Sequence, residues 1–290
     1  MGYMHIENLY KNGEILMFRR CYAMEKIHGT SAHISWNGEK VGFFSGGASY
    51  PEFVSLFNVD MLESLFRQRM GEKKVIIYGE AYGGKMQGMS DTYGKKLKFI
   101  AFDVKIDDMW LDVPKAESFA LDMGIEFVHY AEVSTDIEAL NAQRDADSIQ
   151  AVRNGCGEGK MREGIVLRPL IELTKNNGER IIVKHKRDEF RETASKREIA
   201  PDKLEKLADA RAIADEWVTD MRLTHVLNNE APVVERIKDY IDAMTEDVLR
   251  EADGEIEVSP EVRKEIGRAT AVMVKRRIQR SLTQPNEVEE

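Results

Sequence analysis

Six consecutive residues, Glu25-Lys26-Ile27-His28-Gly29-Thr30, place an amine nucleophile beside a glycine. A lysine amine is nucleophilic only when unprotonated, and neighbouring cations favour that state by lowering its pKa. Gly29 lets the backbone approach a bound phosphate or turn sharply. Taken alone, the stretch is read more readily as a surface lysine in a loop, so its meaning depends on groups farther along. Tyr78-Gly79-Glu80 ends an apolar run on a carboxylate, and Glu163-Gly164-Ile165-Val166 begins another with one. A carboxylate at the end of a buried strand is costly unless it is paired, capped or bound to a cation. Lys184-His185-Lys186 puts two lysines on one face of a strand by its period of two. Like charges so placed repel, which calls for an anion between or beside them; the alternative is an edge strand with exposed gatekeeper lysines.

These groups must be held by elements that the pattern predicts. Residues 14–24 read as a strand, and residues 31–36 as a second one ending in Asn37-Gly38, a pair favoured in type I′ hairpin turns. Residues 40–47 continue that hairpin. Pro51 opens one helix running to Gln68 and ending near Gly71. Strands follow at 74–80 and 97–105; in the second, alternation puts Phe99, Ala101 and Asp103 on one face and Ile100, Phe102 and Val104 on the other. A helix at 113–123 capped by Gly124, a strand at 125–133, a capping box at Thr135 and Glu138, and a helix at 146–153 come next. The glycine-rich stretch 155–159 is a loop before the strand that carries Glu163. Asn176-Asn177-Gly178 turns the chain into a strand at 181–186. From Pro201 the texture becomes helical, with stretches at 202–228, 232–251 and 259–281, the last opened by Ser259 as N-cap and Pro260 at the first position. The tail 284–290 is expected to fray. The fold class is therefore α+β over residues 1–198, followed by a small all-α domain over 199–290.

A length of 290 residues fits roughly two domains, and 42% hydrophobic with 32% charged residues is ordinary for a globular chain. No run nears the roughly 18 apolar residues of a membrane span, and the first residues lack a signal peptide's pattern, so a cytoplasmic protein without a membrane partner is expected. Cys21 and Cys156 show no Cys-x-x-Cys spacing, which argues against a disulfide framework or a structural zinc. A net charge of −9 argues against coating nucleic acid by bulk electrostatics. Local basic clusters remain at Lys95-Lys96-Lys98, at Lys184 to Arg187, and at Lys275-Arg276-Arg277 with Arg280, each of which is otherwise a solvated face.

In order, Lys26-Ile27-His28-Gly29, Tyr78-Gly79-Glu80, Phe102-Asp103, Glu163-Gly164-Ile165-Val166 and Lys184-His185-Lys186 resemble the motif series of the covalent nucleotidyltransferases, which include polynucleotide ligases and RNA capping enzymes. Within that superfamily Glu25 to Thr30 is similar to the RNA ligase 2 family of phage nick-sealing enzymes and kinetoplastid RNA-editing ligases. DNA ligases and capping enzymes more usually have Asp where His28 stands, and they commonly continue into an OB-fold barrel instead of helices.

The resemblance implies a nucleotidyltransferase domain of ATP-grasp-like antiparallel sheets with flanking helices over 1–198, using ATP and Mg²⁺ or Mn²⁺. It makes Lys26 the nucleophile that becomes adenylylated, with Lys184, Lys186 and a metal ion near Glu163 supplying positive charge. Phe102 would stack on adenine and Glu80 would contact the ribose. Glu25, Ile27 and Gly29 would adjoin the nucleotide, and His28 would act in later steps. AMP would then pass to an RNA 5′-phosphate, and a 3′-hydroxyl would displace it, at nicks in duplex RNA bound by a monomer. The setting would be the cytoplasm, or a host's cytoplasm for a phage protein. A DNA ligase, a GTP-dependent capping-type enzyme and a catalytically silent RNA-binding relative remain as alternatives. Two departures stand out. Phe44-Ser45-Gly46 occupies the place where the family often has a phosphate-contacting arginine, and Ser31 stands in place of asparagine.

Overall fold

The computed structural model describes residues 2–175, 177–190, 201–227, 230–252 and 255–283, apart from the side chains of 201, 203 and 281–283. The chain divides into two units, Met1–Glu198 and Ile199–Glu290.

Among the described residues, ten strands build the first unit: β1 (Glu7–Asn8), β2 (Arg20–Lys26), β3 (Thr30–Trp36), β4 (Val41–Ser45), β5 (Val75–Gly83), β6 (Leu97–Ile106), β7 (Met109–Trp110), β8 (Tyr130–Ser134), β9 (Gly164–Pro169) and β10 (Val183–Lys186). One sheet has the order β1-β10-β9-β2-β8 and the other β4-β3-β5-β6-β7; every pairing is antiparallel except β1 with β10. The chain passes from one sheet to the other between Lys26 and Thr30. Gly29 makes that crossing possible, because a Cβ there would lie 2.4 Å from the Ala81 carbonyl oxygen.

The helices of this unit are α1 (Tyr50–Val54), α2 (Val59–Met70), α3 (Ser90–Tyr93), α4 (Val113–Asp122), α5 (Ile137–Asp145) and α6 (Ile149–Arg153). Ile34, Ile77 and Ile100 from the second sheet are fully buried together with Phe66 of α2 and Ala116 and Ala120 of α4. Burial of each large side chain contributes about 2 kcal/mol. Trp36 stacks on Phe66 at 5.7 Å and donates its Nε1–H to the Gly71 carbonyl at 2.8 Å.

Several local expectations give way to nearer competitors. Residues 14–17 form a 3-10 turn, because the Asn12 side chain accepts the Glu14 N–H and Ile15, Leu16 and Met17 are buried in succession without alternating. The expected helix from Pro51 to Gln68 splits where Asn58 turns extended and caps α2 by accepting the Met61 N–H at 3.0 Å. No capping box forms at Thr135: its hydroxyl donates to the Phe18 carbonyl, and Asp136 is the N-cap residue of α5. The strand expected from residue 125 first bridges Ala101 in parallel through Phe127 and forms a regular ladder from Tyr130, and the helix expected from 146 starts at Ile149 with Ser148 as its cap. Asn176 of the predicted turn lies outside the described residues, as does the tail 284–290.

The second unit comprises α7 (Pro201–Trp217), α8 (Asp220–Val226), α9 (Ile237–Glu251) and α10 (Pro260–Thr283). Thr219 ends the helix expected through residue 228 by capping α8, accepting the Arg222 N–H at 3.2 Å. Ser259 caps α10 as expected, accepting the Val262 N–H at 3.1 Å. Met244, Val248, Ile266 and Val274 are buried among these helices.

Candidate functional site

The register of the first sheet brings distant residues to one carboxylate. Gly164, the first residue of β9, pairs with Lys26 on β2 and with Lys186 on β10, so Glu163 enters between two lysine-bearing strand ends. Lys26 Nζ lies 2.8 Å from Glu163 Oε2, His28 Nδ1 lies 3.0 Å from the same oxygen, and Lys186 Nζ lies 2.9 Å from Oε1. Burial would raise the Glu163 pKa, but His28, Lys26 and Lys186 outweigh it and hold it down to about 2. Two lysine charges face this one carboxylate, so an excess of positive charge remains. Lys26 keeps 24% of its side chain exposed, enough to be reached by a ligand.

Beside this cluster is a cavity of ≈ 420 Å³, a size that suits a small-molecule ligand. Phe102 and Val166 supply apolar wall, and Lys26, Lys184 and Glu80 supply charge. Ile27 and Glu25 line it as well. Lys184 faces the cavity while Lys186 meets Glu163, which accords with the two lysines sharing one side of β10. Glu80 accepts the Gly29 N–H at 3.2 Å, and burial, reinforced by nearby Glu163 against the pull of Lys26, pushes its pKa up to about 7.

The Glu25 side chain is turned away from this chemistry. Ser148 Oγ donates to its Oε1 at 2.5 Å, and the Ile149 and Gln150 N–H groups donate to Oε2 at 3.1 and 3.2 Å. Its carboxylate thus satisfies the first turn of α6. Burial still raises its pKa despite these donors. A ligand contact at Glu25 therefore falls to its backbone.

Among the described residues no group of three or more His, Cys, Asp or Glu could hold a metal ion. Glu163 could serve as one ligand only by releasing a lysine or His28. That arrangement fits a hard cation that keeps waters and takes its remaining ligands from phosphate oxygens, as Mg²⁺ does.

Motif reading missed a second cluster under Phe102. A β-bulge between Tyr78 and Gly79 pairs Tyr78 with Asp103 and Gly79 with Ala101, leaving Phe102 as the extra residue. The expected alternation breaks there, and both Phe102 and Asp103 meet Tyr3. The two rings lie 4.9 Å apart, edge to face, while Tyr3 Oη donates to Asp103 Oδ2 at 2.6 Å. Arg168 and Arg180 donate to Asp103 at 2.9 and 2.7 Å, and both also donate to Glu172 at 2.6 Å. The available signal was the aspartate itself, which needs a partner inside an apolar strand by the same reasoning as Glu80.

The basic cluster of α10 is partly engaged within its own unit. Arg277 Nη2 donates to Thr224 Oγ1 at 2.8 Å, and the side chains of Arg276 and Arg280 are solvent-exposed.

Residues 19–186 match the family model described as RNA ligase, a range that holds Lys26, His28, Glu80, Phe102, Glu163, Lys184 and Lys186 but not Tyr3. No curated protein sequence matches the chain. Among solved structures, the RNA ligase of Naegleria gruberi with PPi superposes with a TM-score of 0.50 at 14% identity, over 66% of this chain and 57% of that one. A point mutant of the same enzyme with ATP and Mn gives the same values. The likeness is one of fold, and it spans a little over half of the Naegleria chain. With the family model matched over more than half of its residues, the chain belongs to the RNA ligase family.

Proposed function

We propose that the protein is an ATP-dependent RNA ligase that works through adenylylation of Lys26. The observation that carries this reading is the convergence of Lys26, His28 and Lys186 on Glu163 at the edge of a cavity walled by Phe102. In the first step the Lys26 amine attacks the α-phosphorus of ATP; a P–N bond forms and the bond to pyrophosphate breaks. Lys26 must leave its ion pair and lose a proton to do so. Arriving phosphate charge favours the exchange by competing with Glu163 for the lysines. Lys184 and Lys186 neutralise charge developing on the phosphoryl oxygens. A divalent ion bound beside Glu163 would add Lewis-acid stabilisation of the same oxygens. Phe102 offers a face for the adenine ring, and Glu80 an acceptor for ribose hydroxyls.

AMP then passes to an RNA 5′-phosphate, and a 3′-hydroxyl displaces it to form the phosphodiester. Nicked duplex RNA is the proposed substrate, in repair or editing, and His28 adjoins the leaving group in these later steps. The helical unit serves RNA engagement through the exposed part of its α10 cluster.

Incubation with radiolabelled ATP and Mg²⁺, followed by denaturing electrophoresis, tests the reading. Label on the wild-type chain and none on Lys26→Ala is the expected result. An unlabelled wild type would leave a silent RNA-binding relative, label surviving Lys26→Ala would remove the nucleophile assignment, and stronger labelling by GTP would favour capping chemistry. Sealing assays on matched RNA and DNA nicks decide the polymer.

A further inference from the structure

The floor of the nucleotide cavity continues beyond its rim along the second sheet. Ser31 and Glu80, which line the cavity, are register partners across β3 and β5. Two residues along, on the same face, lies a second row. His33 of β3 pairs with Tyr78 of β5 on one side and with Phe44 of β4 on the other. Two residues of strand span about 7 Å, so this row is the immediate neighbour of the cavity.

The two ends of the row differ. At the inner end Tyr3 packs edge-on against Tyr78 at 5.0 Å, and Trp110 lies 5.4 Å from Tyr78. The outer end is open. Phe44 stacks on His33 with centroids 5.1 Å apart and planes 20° apart, yet remains 41% exposed. His33 is only 7% exposed, and its Nδ1 has no hydrogen-bond partner. Burial lowers the His33 pKa, which favours the neutral imidazole. Phe44 is therefore an exposed ring backed by a buried second ring, one strand over and two residues along from the cavity residue Ser31. A ring so held loses little freedom when another ring stacks on it.

We propose that Phe44, backed by His33, is the stacking platform for the terminal nucleobase of the RNA strand held next to the nucleotide cavity. This assignment rests on the RNA ligase reading for its substrate. Every base has a π face, so stacking on an aromatic ring is tolerant of sequence, as a sealing enzyme that meets varied ends requires.

The test uses the full chain, nicked duplex RNA, and the same duplex with an abasic residue on one or other side of the nick. Phe44→Ala should weaken RNA binding and raise the KM for sealing roughly five- to a hundredfold, with a smaller change in kcat. An abasic residue at the stacked position should erase the difference between Phe44→Ala and wild type, and the side of the nick that does so identifies the base. Phe44→Trp should bind normally, with its fluorescence quenched by RNA beyond the change seen in the wild type. Unchanged RNA affinity of Phe44→Ala would overturn the proposal. So would a loss that persists equally on both abasic duplexes, or a parallel fall in lysyl adenylate that marks a damaged fold. Absence of labelling by ATP in the wild type would instead sink the ligase reading, while the binding and quenching measurements would still decide the platform.

Discussion

Two carboxylates of the first unit are each held between cations, and they behave as opposites. Asp103 is fully buried, and its partners Arg168 and Arg180 keep 1% of their side chains exposed. With Glu172 joining, two guanidinium groups face two carboxylates and the charges balance. Glu163 is as deeply buried but is met by two lysines and a histidine, with Lys26 partly open to solvent. Arginine keeps its charge at any working pH and binds as a rigid fork, whereas lysine is a point charge on a flexible stem that can swing away and lose a proton. The first arrangement makes a frame under Phe102. The second leaves an excess of positive charge on mobile lysines, the arrangement on which the proposed phosphate site rests.

Removing each carboxylate should separate frame from site. Asp103→Ala leaves two buried arginines sharing only Glu172, and it should destabilise the fold by about 3–5 kcal/mol, lowering the melting temperature by on the order of 10 °C. A melting temperature within about 2 °C of wild type would end the comparison, since the network would then bear no structural weight. Glu163→Ala should instead reduce Lys26 labelling by about a hundredfold while its melting temperature falls less than that of Asp103→Ala. Single-turnover labelling and calorimetry on the two variants make the contrast quantitative.

The pH dependence sharpens it further. Glu80 has its folded pKa raised to about 7 from 4.5, so the folded state binds the extra proton and stability declines as pH rises through that interval. Glu80→Gln should flatten this decline and gain about 2 kcal/mol at pH 8, read from denaturant unfolding at several pH values. Glu163, depressed to about 2, acts in the other direction: its contribution is complete above 4.5 and is lost as pH falls toward 2. A Glu80→Gln profile that parallels wild type would show that this carboxyl is not held protonated by burial. The smallest effect belongs to Ser148→Ala, which removes the cap of α6 and one of three donors to Glu25, at about 1 kcal/mol with labelling retained.

Much of the site was legible before any fold was known. Lys26, His28, Glu163 and Lys186 belong to short motifs, and three of the four stand at strand ends whose period of two predicts which side chains share a face. Ser259 announced the start of α10 in the same local way. Where local reading failed, a nearer hydrogen bond prevailed, as at Asn58, Thr135 and Thr219.

Residue types and their order therefore settle which chemical groups are present, along with the strand geometry that puts Lys184 and Lys186 on one side. The partners of Asp103 were settled only by the tertiary structure. Arg168, Arg180 and Tyr3 lie 65, 77 and 100 positions away from it, and nothing in a local pattern dictates which distant arginine meets a buried aspartate. The bulge that turns Phe102 and Asp103 toward Tyr3 depends on pairing between β5 and β6, and the use of the Glu25 carboxylate depends on where α6 begins. Local periodicity follows from the geometry of each residue's own backbone, whereas register and partnership follow from packing between segments far apart in the chain.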